Sequence, residues 1–316
     1  MKRTLCLILT LALLLLSACS TKPTEEPSST TQEPSSQQEA TCTPVLYKVS
    51  AENGAVLYLF GSIHVTDSRA YPLPDYVMQA YEESDYLAVE CDVNAFTSDF
   101  AAQQELVTKM VLTDGTTVAD HLGQDVYEAA KAFLSERGAY FQIYDSYHPA
   151  MWMSLLEAEV ADMSGLDPNS GIDMYFLTLA AQEGKPIREV ESVEYQYDLL
   201  LGFSDELLSL IVGDCAQDPQ EQADGTKALY EFWLAGDEDS LVQLLNEQPE
   251  EEDAALYAEY ETALITERNG NMADTAEEYL KQGGTGFFVV GAAHILGDGA
   301  CADLLAERGY TVERIG

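Results

Sequence analysis

Two segments near opposite ends of the chain carry the same pattern, an apolar β-prone run that ends in Gly-x-x-His. The first is LYLFGSIH at residues 57–64, and the second is FFVVGAAH at residues 287–294. Short apolar runs of this kind predict buried strands, and ligands of open sheets bind beyond the carboxyl ends of such strands. The chain has only four histidines, and two of them occupy these matching positions. The repetition predicts two related strand units that come together around one site.

The N-terminus has the composition of a bacterial export signal. Lys2 and Arg3 form a positive n-region, and residues 5–16 form an apolar region too short to span a bilayer comfortably. The LSAC motif that ends at Cys19 resembles the lipobox of bacterial lipoproteins. This resemblance implies that residues 1–18 are a lipoprotein signal peptide and that the Cys19 thiol is lipidated. The alternative is ordinary secretion with cleavage nearby.

The segment that follows is almost devoid of apolar residues. Residues 19–43 consist mainly of Ser, Thr, Pro, Glu and Gln. Such a stretch buries too little surface to offset the entropy of ordering it, so we expect a disordered tether. The remaining residues 44–316 are long enough for one large domain or two closely packed ones.

The charge of the chain limits its partners. The formal net charge is −40, which disfavours binding to nucleic acid or to an anionic membrane surface. We therefore expect no nucleic-acid partner and expect membrane attachment to come from the lipid. The lipobox resemblance implies a protein outside the cytoplasm, anchored to the cell membrane.

Several common catalytic motifs are absent from the sequence. There is no Walker loop, no Gly-x-Ser-x-Gly elbow, no His-Glu-x-x-His and no Gly-x-Gly-x-x-Gly. The cysteines form no Cys-x-x-Cys pair. These observations argue against the common nucleotide enzymes, serine hydrolases, helical zinc peptidases and sulfur-ligated zinc sites.

The distribution of strand and helix signals predicts an α/β (α+β) protein. Six segments have the composition of strands, at residues 45–50, 55–60, 86–90, 185–190, 286–291 and 310–315. Asn53 and Gly54 predict a tight hairpin between the first two, because both residues favour positive φ. Helical spacing fills residues 99–184 and 193–280. We expect a mixed sheet built from N- and C-terminal strand units, with a large helical insertion.

Three residues at predicted strand ends are the first candidates for chemistry. His64 and His294 can bind a metal or act as acid and base near neutral pH, although each alone is more often a capping or packing residue. Glu90 closes an apolar strand and is a candidate third metal ligand or a base that polarises water. Its alternative is a strand-end carboxylate that faces solvent. His121 and His148 lack this context and are expected to be structural.

Four further polar residues are candidates for support of such a site. Arg268, followed by Asn269, comes after a long acidic helix and can stabilise negative charge or hold a substrate carboxylate. The alternative is an arginine that complements the dipole at a helix C-terminus. Asp173 falls in the first turn of a helix, where acids are common. Glu191 follows a predicted strand and is equally open to a structural role.

Taken together, these pieces resemble the TraB/GumN family, whose relatives include the Tiki membrane proteases. The matching pieces are residues 46–50, 61–65, 73–74, 90, 171–173, 191–196, 268–269, 291–294 and 309–312. The resemblance covers nearly all of residues 44–316 and implies a TraB/GumN-like domain there. It implies a Tiki-like mixed α/β core in which both Gly-x-x-His motifs and a glutamate face one site. Erythromycin esterases and a haem-iron-binding lipoprotein share this wider fold.

The resemblance also implies an activity. In the Tiki branch the arrangement is associated with metal-dependent peptide cleavage, with manganese or cobalt favoured. Carried over, His64 and His294 become metal ligands or an acid–base pair, and Glu90 becomes a ligand or base. Arg268 becomes a clamp for an oxyanion or substrate. The residues expected to support substrate or ligands are Asp173, Glu191 and Asn269.

Two functions follow as hypotheses. The first is an extracytoplasmic, lipid-anchored hydrolase, a metal-dependent peptidase that acts on peptides or on a surface protein. The second is a non-catalytic lipoprotein that binds a peptide, haem or iron. The anchor departs from the Tiki pattern, because it is an N-terminal lipid instead of transmembrane helices.

Overall fold

A six-stranded mixed sheet forms the centre of the fold. The computed structural model describes residues 42–247, 249 and 251–316. The strands are β1 (Leu46–Ser50), β2 (Val56–Ser62), β3 (Tyr86–Val89), β4 (Ile187–Glu189), β5 (Thr285–Gly291) and β6 (Thr311–Arg314). Their order across the sheet is β4-β3-β5-β2-β1-β6. The four strands from β4 to β2 run parallel, whereas β1 is antiparallel to both β2 and β6. The predicted α/β (α+β) class is confirmed.

The N-terminal hairpin forms where turn chemistry predicts it. β1 and β2 pair antiparallel with Leu46 opposite Phe60. Gly54 has φ of +86°, a conformation that glycine adopts without steric cost. The side-chain oxygen of Asn53 accepts a hydrogen bond from the Ala55 amide at 2.9 Å. The predicted hairpin is therefore confirmed, although only Gly54 adopts the positive φ expected of both residues and Asn53 acts through its side chain.

The two strands that lead into the Gly-x-x-His motifs are direct neighbours. β2 and β5 pair in parallel, with Phe60 opposite Val289 and Ser62 opposite Gly291. β5 also pairs in parallel with β3. The carboxyl ends of these three strands consequently meet at one edge of the sheet, and the N- and C-terminal units form a single core.

Fifteen α-helices in the described residues surround the sheet and form the insertion. They are α1 (Asp75–Glu82), α2 (Val93–Ser98), α3 (Phe100–Met110), α4 (Val118–Leu122), α5 (Gln124–Glu136), α6 (Pro149–Ser164), α7 (Ile172–Glu183), α8 (Val193–Leu201), α9 (Asp205–Gln217), α10 (Pro219–Ala235), α11 (Glu238–Leu245), α12 (Ala254–Glu261), α13 (Glu267–Gln282), α14 (Ala292–Ile295) and α15 (Cys301–Glu307). Short 3-10 turns cover Ser68–Ala70, Gln142–Ser146, Pro168–Ser170 and Glu251–Asp253, and a π-helical turn covers Thr262–Thr266. Within the described ranges, no helix is both long and apolar enough to cross a bilayer.

Two apolar cores share two helices. The larger core packs helices on the sheet around Phe60, Phe176 and Phe287. The second core lies within the helical insertion, around residues such as Trp152 and Ile211. Helices α6 and α10 contribute side chains to both cores. They therefore join the insertion to the sheet beside the strand ends.

The start of the folded region differs from the predicted boundary. The Cys42 thiol is buried and donates to the Ala70 carbonyl at 3.3 Å. The Thr43 amide donates to the Leu234 carbonyl at 2.8 Å. The ordered chain thus includes two residues assigned to the tether. The predicted signal peptide, the rest of the tether and lipidated Cys19 lie outside the described residues.

The helical run before Arg268 also differs from the prediction. The sequence suggested a helix that ends before this residue, and that expectation is wrong. The π-helical turn carries the helix directly from α12 into α13, and Arg268 lies in the first turn of α13. Its guanidinium therefore does not complement the dipole at a helix C-terminus. The Arg268 side chain donates instead to the Leu264 carbonyl within the π-turn, at 3.3 Å.

Candidate active site at the strand ends

Gly291 lies at the point where the three predicted site residues converge. Its amide donates to Glu90 Oε1 at 2.6 Å. A Cβ at Gly291 would stand 3.2 Å from Glu90 Oε1, 3.6 Å from His294 Cδ2 and 4.0 Å from His64 Nε2. The three side chains thus surround one small position, and glycine is needed there because a side chain would fill it.

His64 is held by an aspartate from the start of α7. Its Nδ1 lies 2.7 Å from Asp173 Oδ2, and the Ser62 hydroxyl donates to Asp173 Oδ1 at 2.7 Å. Gly171 packs so closely on the His64 carbonyl that a Cβ would not fit. Burial opposes protonation, but the charge and hydrogen bond of Asp173 outweigh it and raise the pKa of His64 to about 9. Asp173 therefore fixes the proton on Nδ1 and turns Nε2 toward Gly291.

His294 is held by an amide and has the opposite protonation preference. Its Nδ1 lies 2.7 Å from Asn269 Oδ1, and Asn269 Nδ2 donates to the Gly299 carbonyl at 3.1 Å. This second bond fixes the amide orientation, so His294 Nδ1 is the donor and Nε2 keeps its lone pair. Burial, assisted by the charge of Arg268, lowers the pKa of His294 to about 3. The imidazole is therefore neutral at physiological pH.

Glu90 is buried with each oxygen occupied. Its Oε1 accepts from Gly291, and its Oε2 accepts from Arg268 Nη2 at 2.7 Å and from Gln196 Nε2 at 3.0 Å. Burial alone would raise the pKa of Glu90, but the charge of Arg268, with help from His64 and the Gly291 amide, lowers it to about 2. Glu90 is thus ionised, and a carboxylate of such low basicity suits a ligand better than a proton acceptor. The solvent-facing alternative does not hold.

Arg268 bridges two carboxylates behind the site. Its Nε and Nη2 donate to Glu191 at 2.9 and 2.8 Å, and Nη2 also donates to Glu90. Gln196 Nε2 donates to Glu191 Oε2 at 2.9 Å as well as to Glu90. These contacts commit most of the guanidinium hydrogens, leaving one Nη1 hydrogen for a molecule in the cleft. Arg268 therefore serves mainly to position Glu90, and it has only one hydrogen left to donate to a substrate.

The donor chemistry of this cluster suits a divalent cation. His64 and His294 each bind an oxygen through Nδ1 and leave Nε2 inward, the arrangement typical of metal-bound histidines. The site also holds three carboxylates, Asp173 paired with His64, and Glu90 and Glu191 paired with Arg268. Within the part of the chain that the structure describes, no three His, Cys, Asp or Glu side chains stand preassembled as a metal cluster. The fit therefore rests on the free Nε2 of His294, on the Nε2 of His64 once it has lost its hydrogen, and on three negative charges against the two of His64 and Arg268.

A deep cleft extends from this cluster between the sheet and the helical insertion. It encloses about 1120 Å³, part of which is open to solvent. Its walls are largely apolar and come from α6, α8, α10, α11 and the π-turn, with side chains that include Val160, Leu200, Leu229, Trp233, Leu241 and Leu264. The Trp233 indole donates to the Gly61 carbonyl at 2.8 Å. This hydrogen bond connects α10, which forms a wall of the cleft, to the first Gly-x-x-His motif.

Comparison with known proteins identifies the family. The model of the TraB/PrgY/gumN family matches residues 45–314. The chain belongs to the TraB/PrgY/gumN family. It is 24% identical over 254 residues to the "Uncharacterized protein YbaP" of Escherichia coli (strain K12), a match that covers 78% of this chain and 87% of the relative. The YbaP protein of Shigella flexneri gives the same values. No solved structure matches this chain significantly.

The seven predicted site residues of this TraB/PrgY/gumN chain lie together as three hydrogen-bonded groups around Gly291, and the two remaining histidines lie elsewhere. His121 bonds Asp205 and Thr116, at 2.9 Å in each case. His148 Nδ1 accepts from the Ala150 amide at the start of α6. The catalytic and metal-binding roles assigned to the seven stay predictions.

Sequence reasoning missed three residues that line or support the cleft. The Ser62 hydroxyl donates a hydrogen bond to the Asp173 carboxylate, and the Gln196 amide donates to both Glu90 and Glu191. Both fall inside matching pieces of the family pattern, which was the available signal. Glu157 also lines the cleft, and its signal was one of two acids, with Glu159, within the otherwise largely apolar stretch MSLLEAEV.

Proposed function

We propose that this protein is an extracytoplasmic, lipid-anchored hydrolase that cleaves peptide bonds in peptides or in a surface protein, with a divalent metal ion as cofactor. The observation that supports it most is the convergence of His64, His294 and Glu90 around Gly291, at one end of an apolar cleft. Family membership is compatible with this activity, and the resemblance to the Tiki branch favours manganese or cobalt. Fold alone does not define the reaction, so the argument rests on the site.

His64 Nε2, His294 Nε2 and an oxygen of Glu90 would hold the metal. When bound, the metal would lower the pKa of a water toward neutrality and so supply hydroxide for attack on a carbonyl. The protein's own part is to orient these donors. Asp173 and Asn269 hold the Nδ1 hydrogens and so aim both Nε2 atoms at the same point, where His294 offers a lone pair and His64 offers one when a bound cation displaces its Nε2 hydrogen.

The other residues serve the substrate. The remaining Nη1 hydrogen of Arg268 is available to the oxygen of a substrate carbonyl as negative charge develops there. The apolar walls exclude water and bind apolar parts of a peptide. Arg268 and Gln196 keep Glu90 ionised and in place.

The test combines metal analysis with peptide cleavage. We expect the purified protein to contain a divalent metal, and we expect cleavage of a peptide library to stop with a chelator and to return with manganese or cobalt. His64→Ala and Glu90→Ala should each abolish cleavage. His121→Asn, a histidine outside the cleft, is the matched control and should cleave normally. A protein that binds no metal and cleaves peptides equally well after both site substitutions contradicts the proposal.

The location is tested independently of the activity. Lipidation requires the thiol of Cys19, so labelled fatty acid supplied to the producing cells should be incorporated into the unmodified protein and not into Cys19→Ser. A protein that incorporates no labelled fatty acid would rule out the proposed anchor. Cleavage by purified Cys19→Ser should be unchanged, because no described residue of the cleft depends on the lipid.

A further inference from the structure

The cleft contains a second buried glutamate that the proposed reaction does not use. Glu157 on α6 is only 2% exposed and lines the same cleft as His64 and Glu90. Neither of its carboxyl oxygens has a hydrogen-bond partner. An unpaired buried carboxyl costs free energy, and such groups are rare in native proteins. Its retention in the wall of a cleft points to a ligand that supplies the missing partner.

The polar atoms on the neighbouring helix α10 are also acceptors. Thr226 lines the cleft, and its hydroxyl hydrogen is committed to the Gln222 carbonyl at 3.0 Å. The side-chain Oε1 of Gln222, one helical turn away, is buried without a partner. A ligand group that satisfies acceptors must bring hydrogens. A primary ammonium brings three, together with a positive charge.

The surroundings of Glu157 favour a charged group on an aliphatic stem. Val160, Leu200 and Leu229 line the cleft beside these polar atoms, and apolar walls of this kind cover the methylene stem of a lysine. Burial raises the pKa of Glu157 well above its usual value. The empty cleft therefore holds a neutral carboxyl, and an incoming ammonium would let it ionise in a pair while its proton passes to solvent.

We propose that Glu157 is the specificity residue of a subsite for an aliphatic amine, such as the lysine side chain of a peptide substrate. This assignment rests on the proposed peptidase function for the identity of the substrate. Binding of the amine itself requires neither cleavage nor metal. The two ideas can therefore fail separately.

Isothermal titration calorimetry with two small probes tests the subsite directly. n-Hexylamine and 1-hexanol share an apolar stem and differ in charge. We expect Glu157→Gln to weaken hexylamine binding by about 10- to 100-fold, the typical effect of losing a hydrogen bond to a charged group. Hexanol binding should not change. Asp162→Asn is the matched control, because Asp162 lies on the same helix with its side chain 79% exposed.

Two results would overturn the subsite. One is equal binding of hexylamine to the unmodified protein and to Glu157→Gln. The other is hexanol binding as tight as hexylamine binding, which would mean that a neutral donor suffices. If Glu157→Gln does not fold, Glu157→Met provides the same comparison with an apolar side chain of similar size.

Peptide substrates separate this proposal from the peptidase proposal. Two peptides that differ only by lysine or norleucine at one position should be cleaved unequally, with lysine preferred at least tenfold. Glu157→Gln should remove the preference, whereas Asp162→Asn should keep it. His64→Ala should lose cleavage but retain hexylamine binding. Amine binding without cleavage in the unmodified protein would support the subsite and contradict the peptidase, and cleavage without any lysine preference would do the reverse.

Discussion

Two glutamates in one cleft have nearly the same burial and opposite electrostatic states. Glu90 is 5% exposed and Glu157 is 2% exposed. Glu90 receives hydrogen bonds from Arg268, Gln196 and the Gly291 amide, and its pKa falls to about 2. Glu157 has no partner, and burial raises its pKa well above the usual value. The partners, and not the depth of burial, decide which carboxyl carries charge.

The comparison separates the two ends of the cleft by function. The end around Glu90 is electrostatically complete, since the network holds its own donors and acceptors in place. The end around Glu157 is incomplete, because its carboxyl oxygens have no hydrogen-bond partner and a ligand would have to supply the donor. A site that positions reacting groups needs the first condition, whereas a site that selects a ligand by charge benefits from the second.

The largest expected effect is a loss of stability when Arg268 is removed from the complete end around Glu90. Arg268→Met should destabilise the protein by about 3–5 kcal/mol, because it leaves Glu90 and Glu191 buried without their guanidinium. Urea denaturation at neutral pH measures this loss. Arg137→Met, which removes an arginine from two surface carboxylates, is the control and should cost less than about 1 kcal/mol. Similar losses in both variants would show that the buried network is not coupled as described.

An intermediate effect is expected from the residue that orients His64. Asp173→Asn removes the negative charge beside His64 Nδ1 and should lower metal affinity or peptide cleavage by about 10- to 100-fold. It should also lower stability, because it breaks a buried pair with His64. Metal titration and cleavage rates measure the loss of affinity or cleavage. Asp205→Asn is a matched control, because Asp205 holds His121 in a similar pair at 2.9 Å outside the cleft. Equal effects of the two substitutions would contradict the proposed role of Asp173 in orienting His64.

The smallest expected effect is a gain in stability at the incomplete end. Glu157→Gln should stabilise the protein by on the order of 1 kcal/mol at pH 7, because it removes a buried ionisable group. The pKa of Glu157 is raised in the folded state, so the unfolded chain loses its proton first. Wild-type stability should therefore fall relative to the variant as pH rises above about 4.5, until the pH passes the pKa of the folded state. Denaturation curves from pH 4 to 8 measure this gap, and a gap independent of pH contradicts the assignment.

Much of the fold could be predicted because its signals are local. Gly54 favours the positive φ of the hairpin loop, and the Asn53 side chain accepts a hydrogen bond from the nearby Ala55 amide. The strands before His64 and His294 can be recognised as short runs of apolar residues. The helix over Ile172–Glu183 lies within the predicted helical run 99–184, and it ends where that run was expected to end because Gly184 adopts positive φ at its C-terminus.

The features that escaped prediction depend on distant partners. Arg268 was expected to follow the end of a long acidic helix, because a π-turn that carries one helix into the next has no simple sequence signal. Cys42 and Thr43 have the composition of a tether, yet they pack on residues that arrive from elsewhere in the fold. Composition describes what a segment can do alone, and these segments are ordered by contacts.

The two Gly-x-x-His motifs show where local information ends. Residue order alone was enough to indicate strand, glycine turn and histidine at both places, since each depends on a few adjacent residues. The two histidines differ in protonation only once the chain has folded. Asp173 reaches His64 across 109 positions and favours its charged form, whereas Asn269 and burial keep His294 neutral. Protonation depends on the charges and dipoles that surround a ring, and those are assembled only when the chain folds.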